Sequence, residues 1–287
     1  MISTLILLTA VSAHTVLFDL DGTDCKVNTA TSNVPVKDVE SKDMLCGPNP
    51  MAIKTICKVK AGDSLTFNFG HNSKGDDIMA SSHKGPCNAW LSKLEGTEVP
   101  NKGWFKIWED NGKDDKWCTE AIIANKGQLK VPIPKEAPSG KFIIRTELNA
   151  LHEGNHDGGA QFYMGCAAVE ISDGTGKIPS DTKSIPGHLK KGENGVVFDI
   201  YNGKPASYPH LGGPVALTAS SSSADSGEKK EEKKEEKKEE KKEEKKEEKE
   251  EKKEEKKEDK NEGKKKKKPE PETETDDETD DESSNDE

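Results

Sequence analysis

The sequence predicts an all-β fold, an antiparallel sandwich or barrel with long loops, followed by a disordered charged tail. Three observations carry this. Apolar residues come in short runs broken by Gly, Pro, Asn and Asp. Several runs alternate with the period of two that places side chains on opposite faces of a strand. Charge is segregated: in residues 228–287, 50 of 60 side chains are charged and no aliphatic, aromatic or Cys residue occurs. The first 227 residues carry only 23 basic and 26 acidic groups and all the apolar content, so one domain-sized body can bury a core.

The candidate strands follow in order. Residues 15–20 and 53–59 come first, then 65–69, where Leu65, Phe67 and Phe69 share a face. Ala61, Gly62 and Asp63 read as the turn before it. Residues 89–91 and 104–108 follow, with Trp104, Phe105 and Trp108 read as core aromatics. Residues 117–124 suit a short helix. Leu129, Val131 and Ile133 alternate again, and Pro138, Ser139 and Gly140 read as a turn. Residues 142–148 and 161–171 complete the strands. Residues 172–217 read as a long loop wrapping the body, in which Tyr201 reads as core. Residues 218–227 form a Ser-rich linker.

The tail repeats E-E-K-K with period four. On a helix that stacks like charges at i,i+4, which is unfavourable. With nothing apolar to offset ordering entropy, residues 228–287 are expected to be an extended polyampholyte, a solvated spacer in the first instance. Attachment to a charged wall or surface is the second reading. The body has no basic excess, so nucleic-acid binding is not expected. No run is long enough for a membrane helix, so no membrane partner is expected either.

At the other end, residues 1–13 read MISTLILLTAVSA. An apolar run followed by Val11-Ser12-Ala13, with small residues at −3 and −1, predicts a secretory signal peptide cut after Ala13. Six cysteines fit a secreted, extracellular protein with disulfides, and six allow 15 pairings. Cleavage would make His14 the first residue. An N-terminal His offers an α-amine and an imidazole, a chelate for a nitrogen-preferring metal.

Three features single out histidines. One is His14. Another is His83 in the turn Ser81-Ser82-His83-Lys84-Gly85-Pro86. The last is His152, followed by Gln161-Phe162-Tyr163, where an extended strand turns Gln161 and Tyr163 to one face. These segments, with DVESKDMLC at 38–46, GWFKIWED at 103–110, FIIRTELNALH at 142–152 and GAQFYMGC at 159–166, occur in one order over residues 14 to about 171. In that order the chain resembles the fungal lytic polysaccharide monooxygenases of auxiliary activity family nine, formerly glycoside hydrolase family 61.

The resemblance implies an immunoglobulin/fibronectin-like β-sandwich over residues 14–217 and a copper-dependent monooxygenase that acts as a monomer. One copper would be held by His14, through amine and ring, and by His83, with Tyr163 axial. Nitrogen donors in a plane suit Cu(II). His152, Gln161 and Tyr163 would form the catalytic set around the oxygen co-substrate. The implied reaction takes electrons from a reductant or an electron-donor enzyme, uses O2 or H2O2, and cleaves cellulose or a related β-1,4-glucan at C1 or C4. The implied disulfide is Cys46–Cys166. The pairing of Cys25, Cys57, Cys87 and Cys118 stays open.

The chain departs from the family in its aromatics. After Ile185-Pro186-Gly187 comes His188 where many members have Tyr, leaving Tyr208 as the candidate sugar-stacking residue and His188 as a substitute. Where the family often places a cellulose-binding module after such a linker, this sequence runs into the charged tail, so no such module is expected. A secreted histidine-brace copper protein with little cleavage is the alternative, and a wall-associated structural protein the third reading. Hydrolysis by Glu147, Glu153 or Asp157 would need a carboxylate pair flanking one bond and is set aside.

Overall fold

The computed structural model describes residues 14–217, apart from 22–26, 28, 29, 49, 51 and 54. The signal segment, the Ser-rich linker, the charged tail and Cys25 lie outside the described residues.

Two sheets make the body. The smaller has the order β1–β3–β8, from β1 (Val16–Leu20), β3 (Ser64–Gly70) and β8 (Gln128–Pro132). The larger has the order β2–β10–β9–β4–β5, from β2 (Ile56–Lys60), β4 (Cys87–Lys93), β5 (Phe105–Asp110), β9 (Pro138–Ala150) and β10 (Gln161–Thr175). A two-residue pair, β6 (Gly112–Lys113) and β7 (Lys116–Trp117), leads into helix α1 (Cys118–Ala124).

Alternation explains the smaller sheet. Leu65, Phe67 and Phe69 of β3 and Leu129 and Val131 of β8 all point inward, with Phe67 opposite Leu129. Across the gap they meet Leu91, Phe105, Phe142, Ile144, Leu148 and Val169. Truncating Phe67 to Ala in such a core costs about 3–5 kcal/mol.

The larger sheet is buried on both faces, which hides its period. Phe142, Ile144, Leu148 and Ala150 of β9 face the inter-sheet core, whereas Ile143 and Leu151 face a second cluster with Trp90, Trp104, Phe162, Met164, Ile185, Tyr208 and Leu211. Arg145, Glu147 and Asn149 share that outer face and are also buried, Glu147 beside His188 of the late loop. Arg145 donates to the carbonyls of Met44 and Leu45 and to Glu147. Lys106 donates to the carbonyl of Leu211 at 2.7 Å and to Glu109, fastening the late loop onto the sheet.

The Cys46–Cys166 disulfide is present, closing a separation of 120 residues, worth about 4–5 kcal/mol in the chain-entropy picture. Cys87 pairs with Cys118, tying α1 to β4, and Cys57 is also disulfide-bonded.

Three expectations need correction. β2 pairs parallel with β10, because the connection from β2 does not return by a hairpin, so the larger sheet is mixed. Pro138, Ser139 and Gly140 belong to β9: Pro138 still pairs with Thr175 after a register shift, and the Ser139 hydroxyl donates to the Gly174 carbonyl. Tyr201 is 73% exposed, not core.

Candidate metal centre

Two close backbone approaches bring the histidines together. β1 packs over β10 where Gly165 leaves room: a Cβ there would lie 2.4 Å from Leu17. That carries the start of the described chain, His14, toward Tyr163. The turn containing His83 lies on the end of β9, where a Cβ at Gly85 would lie 1.9 Å from the Asn149 carbonyl oxygen. Asn149 donates its N–H to the Pro86 carbonyl and Leu151 to that of Lys84. Gly at 85 is therefore a steric requirement, and it sets His83 against His152.

The rings converge. His83 stacks on His152 with centroids 4.2 Å apart. His14 lies 5.9 Å from His83 and 6.1 Å from Tyr163, and His83 lies 6.2 Å from Tyr163. The Tyr163 hydroxyl donates to Gln161 Oε1 at 2.7 Å, which fixes the amide orientation. Gln161 Nε2 then faces His152 Nε2 at 3.3 Å and Glu153 Oε2 at 3.4 Å. Lys37 closes the chain of contacts on Glu153 at 3.1 Å. On the open side the Tyr201 hydroxyl donates to the carbonyl of His152 at 3.2 Å.

Electrostatics keep the imidazoles neutral. Burial, then the neighbouring His152 and His14, pushes His83 down to about 4. Burial lowers His14 as well, with His71 and Lys37 adding to it. Burial also lowers His152, against the opposing pull of Glu153. Burial, followed by Glu153, drives Tyr163 far above the ordinary phenol range, so it stays a neutral phenol. Neutral imidazole is the form that donates a lone pair to a metal.

The donor set fits a metal that prefers nitrogen. His83 Nε2 is buried and has no hydrogen-bond partner, whereas its Nδ1 lies 3.3 Å from the Ser82 hydroxyl. An orphaned buried nitrogen costs about 1–3 kcal/mol unless something binds it. Among the described residues no three His, Cys, Asp or Glu side chains form a metal cage. The rings of His14 and His83 offer two nitrogens, and an α-amine at residue 14 would offer a third if the chain were cut after Ala13. Imidazole donors suit copper or zinc rather than the oxygen-seeking calcium or magnesium, and among divalent ions such nitrogen sites bind copper more tightly than zinc.

Two expected site residues are elsewhere. Tyr208 is 5% exposed, packs edge-on against Trp117 and Phe198, and donates its hydroxyl to the Gly195 carbonyl at 2.8 Å. His188 is buried edge-on against Trp90, 3.6 Å from Glu147. Neither presents a ring to solvent, so neither can stack on a sugar. Glu147 is enclosed with Arg145, Asn88 and His188, away from solvent, and cannot act on a glycosidic bond.

Fold and cluster together define a β-sandwich with an imidazole-rich face able to hold a metal ion. The comparisons make this particular. Residues 13–208 match Auxiliary Activity family 9 (formerly GH61), and the chain belongs to that family. It is 43% identical over 199 residues to AA9 family lytic polysaccharide monooxygenase A of Aspergillus flavus, covering 69% of this chain and 53% of that protein. It is 43% identical over 206 residues to AA9 family lytic polysaccharide monooxygenase B of Emericella nidulans, covering 70% and 56%. The chain thus spans about half the length of these curated relatives. Among solved structures it is similar to CvAA9A, with a TM-score of 0.65 and 29% identity over 70% of this chain and 97% of that one. The extended catalytic domain of H. jecorina LPMO9A gives a TM-score of 0.52 at 25% identity, over 67% and 81%.

Proposed function

We propose that this chain is a secreted, copper-dependent lytic polysaccharide monooxygenase that cleaves β-1,4-glucan oxidatively at C1 or C4. The observation that carries the reading is the convergence of neutral His14 and His83 rings beside Tyr163, with His83 Nε2 unpartnered. Cleavage after Ala13 is part of the proposal, because only a free His14 amine completes the nitrogen set. Membership of the family and relatives named lytic polysaccharide monooxygenases support it.

Each residue then has a task. His14 and His83 hold the copper. Copper, when bound, supplies one-electron redox chemistry with a reductant and O2 or H2O2, enough to oxidise a sugar C–H bond. Tyr163 remains a protonated phenol whose hydroxyl donates to Gln161, so it would stand beside the copper as a neutral, weakly donating neighbour. The Gln161 amide and the His152 imidazole line the approach and offer hydrogen bonds to an oxygen co-substrate. Tyr201, exposed and tied to the His152 carbonyl, replaces Tyr208 as the aromatic ring able to lie against a sugar. No helix among the described residues is long and apolar enough to cross a membrane; a soluble polysaccharide chain or a crystal face is the partner this reading requires. The charged tail is read as a solvated spacer.

A second reading, a brace copper protein with little cleavage, is favoured by the sparse aromatic surface: of the large apolar side chains exposed among the described residues, Tyr201 alone is aromatic. The experiment separates the two. Copper-loaded mature protein with ascorbate and cellulose should release oxidised oligosaccharides detectable by mass spectrometry. Copper binding with no such products from cellulose, xyloglucan or other β-glucans would establish the second reading.

A further inference from the structure

We infer that His71 is a positioning residue for the first ligand of the metal centre, a role that rests on the copper reading above. His71 follows β3 directly, and the antiparallel register Val16–Gly70 sets the residues before β1 beside those after Gly70. His71 Nδ1 stands 2.7 Å from the His14 carbonyl oxygen. A carbonyl oxygen only accepts, so Nδ1 carries the proton and donates.

The donor is itself held. The His71 N–H donates to Asp76 Oδ1 at 2.9 Å and to the Asp77 carbonyl at 2.8 Å, and the His71 carbonyl accepts from Asn33 Nδ2 at 3.1 Å. The loop after β3 is therefore a fixed platform rather than a loose arm.

The receiver needs such a platform. A residue that chelates through its own α-amine and ring must have both its backbone torsion and χ1 set before the metal arrives. The β1 ladder begins at Val16, and Thr15 is held by its hydroxyl on the Gly70 carbonyl at 3.1 Å. His14 lies ahead of the ladder. Holding its carbonyl plane anchors Cα, leaving only ψ and χ1 to place the amine nitrogen and the ring. Preorganised ligands lose less freedom on binding, and partners that orient metal ligands typically contribute tens-fold to affinity.

The test uses the full secreted chain with His14 verified as its first residue. Cu(II) affinity and the Cu(II) EPR spectrum are measured for the native protein, His71→Ala, His71→Asn and His83→Ala, and unfolding midpoints are taken without copper. His71→Ala should weaken copper binding by roughly 10-fold and shift the EPR parameters, with the copper-free midpoint close to native. His71→Asn, whose amide N–H can donate from the place of Nδ1, should restore most of both. A His71→Ala protein with native affinity and spectrum overturns the role, as does a loss that Asn fails to restore. His83→Ala separates the levels. If it leaves copper binding intact, the copper reading falls and the role with it; if it removes binding while His71→Ala binds normally, only the role of His71 falls.

Discussion

The protein carries two histidine settings, one built on buried His83 and one on buried His188, that differ in what surrounds the ring. At the end of the sandwich, His83 lies 5.9 Å from His14 and 4.2 Å from His152, burial keeps the rings neutral, and unpartnered nitrogens remain at His83 and His152. On the outer face of the larger sheet, burial lowers His188 too, but its neighbours are charged: Glu147 at 3.6 Å, with Arg145 and Lys106 beyond. Those charges are engaged with one another or with main-chain carbonyls of Met44, Leu45 and Leu211. Convergent neutral nitrogens make a place for a cation. Paired charges spanning distant segments make a fastening. The same residue type thus serves ligation in one region and packing in the other, and the neighbours decide which.

Breaking the fastening should have the largest effect. Glu147→Ala leaves Arg145 buried without its carboxylate, which costs about 3–5 kcal/mol. Urea unfolding should report that loss, while copper affinity of the remaining folded protein stays native. Breaking the ligand region should do the reverse. His83→Ala should weaken Cu(II) binding at least ~100-fold, about 2.7 kcal/mol, with unfolding stability changed by less.

Acid sharpens the contrast further. Burial opposes ionisation of Glu147, but Arg145, with His188 and Asn88, outweighs it and holds the carboxyl well below its ordinary range. A depressed carboxyl contributes stability above its unfolded pKa of about 4.3, and that contribution disappears as pH falls below it. His188 is depressed by burial, so its neutral form contributes above about 6.5 and is lost on acidification. Stability should therefore fall from pH 7 downward in two stages. His188→Gln should remove the first and Glu147→Gln the second, both readable from urea midpoints across pH 7 to 3. The smallest effect concerns the two tyrosines. Tyr201→Ala should weaken retention on cellulose several-fold without moving the unfolding midpoint. Tyr208→Phe should cost about 1 kcal/mol of stability through its lost bond to Gly195 and leave cellulose retention unchanged.

Much of this was legible in the chain. The alternation of Leu65, Phe67, Phe69 and of Leu129, Val131 reads directly as strands with one buried face. His83 is legible as the histidine of the turn SSHKGP just before a strand, while the contact of Gly85 with Asn149 that seats this turn shows only in the fold. The exchange of Tyr201 and Tyr208 was not, because neither lies on a regular element. Tyr208 is buried by Trp117 and Phe198, more than ninety residues and ten residues away, and only tertiary packing says so. The parallel pairing of β2 was hidden for a similar reason: its residue pattern does not encode direction. His71 carried no motif at all. It becomes visible once the Val16–Gly70 register is known, since that pairing is what sets it beside His14.

The central claim is that the residue-14 amine and the rings of His14 and His83 hold one copper. It is tested most directly by comparing Cu(II) binding and EPR of the chain beginning at His14 with the same chain retaining Ala13. The account predicts one tightly bound copper with an axial, nitrogen-rich spectrum in the first, and affinity lower by at least ~100-fold in the second. Equal affinity and identical spectra in both would contradict it.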